Sequence, residues 1–286
     1  MKEALSNALK IGKIRYINSL PFYHRLAEEC AFPIEYFEHY PTKINLAMRR
    51  RKIHVAPISS LEYLNHQKDY LLLPSAVIAS RDFSGSVLLI SHEKIEGLDG
   101  ETIALTRESL SSAVLLRILL RFKYKFQNRF VLVNQDPHAM LSKYKAGLVI
   151  GDNALLFRSQ SFFYKYDLSD LWWNWTEKPF CFALWAVQRK FAKENPEVIS
   201  NFLNSLIRTL QKNLSDLESL LKETLDMSFL HQDFPRIFGY LFNLIYEMDT
   251  AIQEGLLLYF RLAHRLGISP KPQKLEFFDM VPSVKP

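Results

Sequence analysis

Two wholly apolar runs interrupt an otherwise regular alternation, and together they leave this chain very few architectures. Through the first half, short apolar segments alternate with amphipathic ones, the pattern of a parallel sheet covered by helices. The first interruption is Ser86 to Ser91, with Val87, Leu88, Leu89 and Ile90 between the serines; the second is Phe182 to Val187. After the first run the alternation restarts. After the second it gives way to helical periodicity from Pro196 to about Leu266, where Pro and Gly are rare. One unbroken series would build one sheet; a series that restarts predicts two lobes. The reading is an α/β chain with parallel or mixed sheets in two lobes, joined by two crossing strands, with a helical C-terminal tail. Residues 1–89 and 185–286 are expected to form the first lobe and its helices, and residues 90–184 the second. Such a layout forms a hinge, with a cleft between the lobes.

Local signals place the elements. A strand is expected from Lys13 to Ile17, followed by a helix opened by Asn18, Ser19 and Pro21 and running to about Cys30. Ile34 to His39 reads as a strand, Pro41 to Arg51 as a helix and Val55 to Pro57 as a strand. Ser59-Ser60-Leu61-Glu62 has the spacing of a capping box. Tyr70 to Leu73 and Ala76 to Ser80 read as separate strands. In the second module the expected elements are a strand Thr102 to Leu105, a helix from about Ser109 to Phe122 and a strand Arg129 to Val133. A helix capped by Asp136 and a strand Leu148 to Ile150 follow.

Composition excludes several classes. Of 286 residues, 48% are hydrophobic and 23% charged, a globular balance that argues against a mainly disordered chain. The net charge of +6 suits small anions as much as nucleic acid. The one dense basic run, Arg49 to Lys52, falls where a helix should end and where cations complement the helix dipole. No nucleic-acid-binding motif accompanies it. Cys30 and Cys181 make no disulfide framework. Residues 1–10 lack an apolar run of signal-peptide length, and no stretch nears the roughly 18 apolar residues that span a bilayer. A cytoplasmic protein with no membrane or nucleic-acid partner is expected.

The familiar phosphate, dinucleotide and zinc-protease motifs are absent, and the eight histidines show no metal-ligand spacing. No serine-hydrolase elbow occurs. What recurs is a small polar cluster wherever a strand meets a helix: Asn18-Ser19, Ser59-Ser60, Ser84-Gly85-Ser86, Thr106 through Ser112 (with Ser109 and Ser111), and Gly151-Asp152. In a parallel sheet these ends share one edge, where such folds place ligands. Helix-start N–H groups with hydroxyls beside them make an anion site without lysine or arginine. Each residue is also, by itself, an ordinary helix cap. Trp172, Trp173 and Trp175 read mainly as lobe core.

The motifs have a family likeness. Arg15-Tyr16-Ile17-Asn18-Ser19-Leu20-Pro21-Phe22 and Ala56-Pro57-Ile58-Ser59-Ser60-Leu61-Glu62-Tyr63 resemble two signatures of the chorismate dehydratases of the futalosine route to menaquinone. Gly85-Ser86-Val87-Leu88-Leu89, the Ala104-Leu105-Thr106 and Ser109 segment, Ile150-Gly151-Asp152 with Ala154-Leu155, and Leu171-Trp172 with Trp175-Thr176 and Pro179-Phe180 follow in the family's order. The likeness spans residues 12 to 190. Ala56 departs from it, standing where glycine is usual, in what reads as a turn.

The resemblance implies a type II periplasmic-binding-protein fold and a carbon–oxygen lyase (hydro-lyase) that needs no metal or redox cofactor. Its reaction removes water from chorismate to give 3-[(1-carboxyvinyl)oxy]benzoate. Carried over by position, Asn18 is the expected catalytic residue. Ser86, Thr106, Ser111 and Ser112 are expected to hold the carboxylates, with the helix start at Ser109. Ser59 and Ser60 face them from the first lobe, and Asp152 is a candidate to bind water or a hydroxyl. No general base can be named, which leaves a substrate carboxylate as one candidate. A non-catalytic binding protein of the same fold and the related dihydroxynaphthoate synthase remain alternatives.

Overall fold

The computed structural model describes residues 8–134, 136–158 and 163–281. Among them ten strands form two five-stranded sheets. They are β1 (Leu9–Ile14), β2 (Ile34–His39), β3 (Val55–Ser59), β4 (Tyr70–Ser80), β5 (Val87–Ser91), β6 (Thr102–Thr106), β7 (Arg129–Val133), β8 (Ala146–Ile150), β9 (Tyr164–Asp167) and β10 (Phe180–Gln188). The first sheet runs β2-β1-β3-β10-β4 and the second β7-β6-β8-β5-β9.

The two sheets repeat one plan. In the first, β1 is parallel to β2 and β3, while β10 runs antiparallel to β3 and β4. In the second, β6 is parallel to β7 and β8, while β5 runs antiparallel to β8 and β9. In each case the reversed strand is the first one laid down after the chain changes sheets. The two apolar runs are therefore these reversed strands, one inside each sheet. All five residues of β5 are buried, as are eight of the nine in β10, the condition that demands an unbroken apolar run. The changeovers lie beside them, in residues 81–86 and between Asp167 and Phe180.

Several local expectations shift. β1 begins four residues earlier than the motif suggests, because its register is set by β2, from Leu9 opposite Ile34 to Ile14 opposite His39. The helix expected to reach Cys30 breaks at Arg25, whose left-handed backbone (φ 60°) separates Leu20–Tyr23 from Leu26–Glu29. The expected pair of strands between Tyr70 and Ser80 is one strand with a bulge. Leu184 pairs with Val77 and Ala186 with Leu72, and Ser75 takes a positive φ of 60° to absorb the extra residues. Ala56 lies inside β3, not in a turn. A Cβ on Gly12 of β1 would meet the Ala56 Cβ at 2.6 Å, so the bare backbone of β1 is what admits the alanine. Arg49 ends the helix Pro41–Arg49 and pairs with the buried Glu62 at 2.9 Å, a structural role for the basic run.

The tail folds as five helices, Arg189–Glu194, Pro196–Ser215, Leu217–Thr224, Met227–Asn243 and Thr250–Arg265. Pro196–Ser215 buries Ile199, Phe202, Leu203, Leu206 and Leu210, spaced to line one helical face, in the same core as Leu9 and Ile11 of β1. Thr250–Arg265 reaches the second lobe, where the Tyr259 hydroxyl donates to the Ser111 carbonyl at 3.1 Å. The largest core cluster is continuous through both lobes, from Ile14 and Ile58 to Leu105 and Ile150. Trp172 is fully buried and Trp173 and Trp175 half-buried. Among the described residues no helix is long and apolar enough to cross a membrane.

Candidate active site

Between the lobes lies an opening of about 550 Å³, a volume that takes in space continuous with solvent. Its apolar walls include Ile14, Ile78, Val87, Ile150 and Phe182; its polar residues include Tyr16, Asn18, Ser59, Ser86, Ser109 and Ser112. Among the described residues, none of the lining side chains is a carboxylate, histidine, lysine, arginine or cysteine. The polar groups such a pocket offers a ligand are hydroxyls, an amide and backbone N–H groups, in surroundings where their contacts are strengthened by the loss of water.

Each polar residue is held by its own local structure. After β1 the chain turns through Ile17–Ser19, where the buried Ser19 hydroxyl bonds the carbonyls of Ile14 (2.7 Å) and Tyr16 (2.8 Å). That turn presents Asn18, whose carbonyl accepts from the Tyr246 hydroxyl at 3.2 Å. The Asn18 side-chain Oδ1 is buried and has no hydrogen-bond partner. Ser59 caps the helix Ser60–Asn65, its Oγ accepting from Glu62 N as the capping-box spacing predicts and from Asn45 Nδ2 at 2.9 Å. Ser109 caps Leu110–Ile118 by accepting from Ser112 N, and the Ser109 and Ser112 hydroxyls bond each other at 3.0 Å. Ser86 Oγ accepts from the Tyr240 hydroxyl at 2.9 Å, and the Ser86 carbonyl accepts from Gly151 N at 2.7 Å.

Five of the nine candidates thus share the opening: Asn18, Ser59, Ser86, Ser109 and Ser112. The other four turn into structural bonds. The Ser60 hydroxyl donates to the Cys181 carbonyl. Thr106 Oγ1 accepts from Glu108 N at 3.1 Å, holding the turn after β6. Ser111 Oγ accepts from Leu61 N at 2.9 Å, tying a helix start of one lobe to that of the other. Asp152 Oδ1 accepts from Ile17 N at 3.1 Å, also across the lobes, and burial pushes its carboxyl up to about 6.

Tyr16 adds a further interlobe link, its hydroxyl donating to Glu108 Oε2 at 2.6 Å. Its ring lies against Gly151, where a Cβ would meet ring carbons at 2.7 to 2.8 Å and where φ is +60°. Only glycine fits that point. Tyr16 was quoted in the motif but not as a lining residue; Tyr240 and Phe182 carry no local sign of their place at all. Among the described residues no three His, Cys, Asp or Glu side chains are grouped to hold a metal ion.

A family model described as menaquinone biosynthesis matches residues 9–265. The chain belongs to this menaquinone-biosynthesis family. A curated relative with the same theme, the chorismate dehydratase of Thermus thermophilus, is 27% identical over 282 residues, covering 92% of this chain and 96% of its own. An Archaeoglobus fulgidus protein of known structure superposes with a TM-score of 0.73 at 17% identity, covering 92% of this chain and 99% of its own. The ligand-binding component of an ABC-type import system from Staphylococcus aureus gives 0.69 at 12% identity, covering 96% and 97%. A Candida albicans protein with the generic periplasmic-binding-protein fold gives 0.65 at 11% identity, covering 98% and 100%. This member of the menaquinone-biosynthesis family therefore has the type II periplasmic-binding-protein fold, as its motifs imply. Here that fold frames an opening walled by both lobes.

Proposed function

We propose that the protein is a cytoplasmic chorismate dehydratase, converting chorismate into 3-[(1-carboxyvinyl)oxy]benzoate and water. The observation that carries this reading is a pair of unmet hydrogen-bonding capacities in one opening. Asn18 Oδ1 is a buried acceptor without a donor. Ser86 Oγ already accepts from Tyr240, and no described residue accepts from its hydroxyl. A buried polar atom left unpaired costs about 1–3 kcal/mol, so a ligand that supplies both partners is favoured. The ligand that fits carries a hydroxyl for Asn18 and a carboxylate for Ser86. Chorismate has both, and its ring suits walls of isoleucine, valine and phenylalanine. The 27% identical Thermus thermophilus relative, a chorismate dehydratase, supports the same choice.

In this mechanism Ser86, Ser109 and Ser112 fix the carboxylates and Asn18 fixes the ring hydroxyl. The C–H bond at the carbon bearing the enolpyruvyl ether breaks, its electron pair becomes ring π density, and the neighbouring C–O bond breaks. The hydroxide that departs takes a proton and leaves as water. The Asn18 amide has donors as well as an acceptor, so it holds the hydroxyl before reaction and donates to its oxygen as negative charge collects there. Among the described residues no carboxylate, imidazole or amine lines the opening, and in this mechanism the base is the substrate's own enolpyruvyl carboxylate. It passes the proton on to the departing hydroxide. Aromatisation provides the driving force, and the protein's contribution is orientation and charge stabilisation.

The test is purified protein with chorismate in chelator, followed by mass and ultraviolet spectrum. Loss of one water per molecule supports the proposal. Unchanged chorismate refutes it, and tight binding without turnover would point instead to a binding protein of the same fold.

A further inference from the structure

The helix Met227–Asn243 begins 47 residues after the last motif, which ends at Phe180, yet it places a buried tyrosine against the site. The Tyr240 hydroxyl donates to Ser86 Oγ at 2.9 Å, and both residues are almost wholly buried, at 6% and 3% exposure. Asn18 also neighbours that phenol. Burial holds the phenol well above its ordinary range, so it remains a donor throughout the working pH range.

A serine hydroxyl rotates freely and has one donor and two acceptor positions. With Tyr240 donating into one lone pair from the protein side, the rotor loses the orientations that would aim its own hydrogen at Tyr240. The hydrogen is left to point toward the opening that Ser86 lines. We infer that Tyr240 is a positioning residue for substrate binding: by donating to Ser86 it turns the serine hydroxyl into an oriented donor for a substrate carboxylate. This rests on the reading of the opening as a carboxylate-binding site and assigns the C-terminal helices a part in it. No contact between Tyr240 and substrate is involved; the phenol acts through Ser86.

The consequence is a particular kinetic signature. The carboxylate held by Ser86 carries the same charge before and during elimination, so the contact is of equal strength in both states. Loss of such uniform binding raises KM and leaves kcat unchanged. Tyr240→Phe removes only the hydroxyl. It should raise KM for chorismate about tenfold, with kcat within about twofold of wild type. Ser86→Ala should raise KM by at least as much. The double variant should match Ser86→Ala within about twofold, because Tyr240 has nothing left to orient.

Wild-type kinetics come first. A wild type that leaves chorismate unchanged overturns the functional reading and this inference with it. An active wild type with a Tyr240→Phe variant of unchanged KM overturns only the inference. So does a double variant whose KM rises by the product of the single effects, since independent contributions mean that Tyr240 acts by supporting the fold. Should Tyr240→Phe fail to fold by circular dichroism, Ser86→Ala decides alone. An unchanged KM there means the hydroxyl holds no carboxylate and leaves Tyr240 nothing to direct; a rise of tenfold or more supports the inference.

Discussion

Replacing Asn18 with alanine should separate stability from activity. The side chain lies on the rim of an existing opening, so truncation creates no sealed cavity. What it removes is an amide whose Oδ1 is buried and unpaired. Relief of that desolvation is worth about 1–3 kcal/mol, set against the lost packing of the amide carbon and nitrogen. The net expectation is unchanged stability or a gain of about 1 kcal/mol, a rise of roughly 2 °C in melting midpoint for a chain of 286 residues. Activity should move the other way. Loss of a preorganised group that donates to developing negative charge costs about 10²–10³ in kcat. The assay is one protein preparation divided between a thermal melt and chorismate turnover. A melting midpoint lowered by 5 °C or more would show that Asn18 is a structural residue with an adequate partner. Wild-type turnover would remove it from the reaction, and either result refutes the argument from the unpaired atom.

Other expectations follow from the contacts around the opening. Burial raises the Asp152 carboxyl from 3.8 to about 6. Between those values the folded state keeps a proton that the unfolded chain releases, so stability falls as pH rises from about 4 to about 6, by at most about 3 kcal/mol. Asp152→Asn, which retains an acceptor for Ile17 N, should flatten that part of the denaturation profile, and a variant as steep as wild type would assign the slope elsewhere. Gly151→Ala forces a side chain into left-handed backbone, about 1–2 kcal/mol, and displaces the Tyr16 ring from its bond to Glu108, about 1–2 kcal/mol more. Urea titration should show a lower midpoint at constant slope; an unshifted midpoint would mean the lobes open to accommodate the methyl. Ser60→Ala leaves the Cys181 carbonyl short of a donor and should cost about 1–3 kcal/mol with KM within about twofold of wild type, whereas a large rise in KM would return Ser60 to the binding site.

The elements legible in the sequence are those fixed by neighbours in the chain. The Ser59–Glu62 cap, the β2 strand and the two apolar runs each depend on a few adjacent residues, and their structural counterparts follow. The β4 bulge and the early start of β1 depend on partner strands that arrive from elsewhere, so local pattern misplaced them. β9 carries an alternating Tyr-Lys-Tyr-Asp pattern too short to register. The site divides in the same way. Serine and threonine at strand ends signal polar backbone chemistry, but a hydroxyl facing a ligand and one facing its own backbone look identical in sequence. That is why Ser59, Ser86, Ser109 and Ser112 reach the opening while Ser60, Thr106 and Ser111 bond protein groups instead. Tyr240 meets Ser86 across 154 positions, a distance at which residue type gives no clue.

The placement of the reversed strands also sets an order of assembly. All five members of the second sheet lie between Val87 and Asp167, so that sheet can close as soon as this stretch has left the ribosome. The first sheet has no such independence: β3 and β4 have no pairing with each other, and the gap between them is filled only by β10. Until Gln188 has emerged, β4 is an eleven-residue strand with its inner edge bare, the kind of edge that invites pairing with another chain. During synthesis the second sheet thus has all its strands before the first does, and the inner edge of β4 has no partner strand from the translation of Ser80 until that of Gln188.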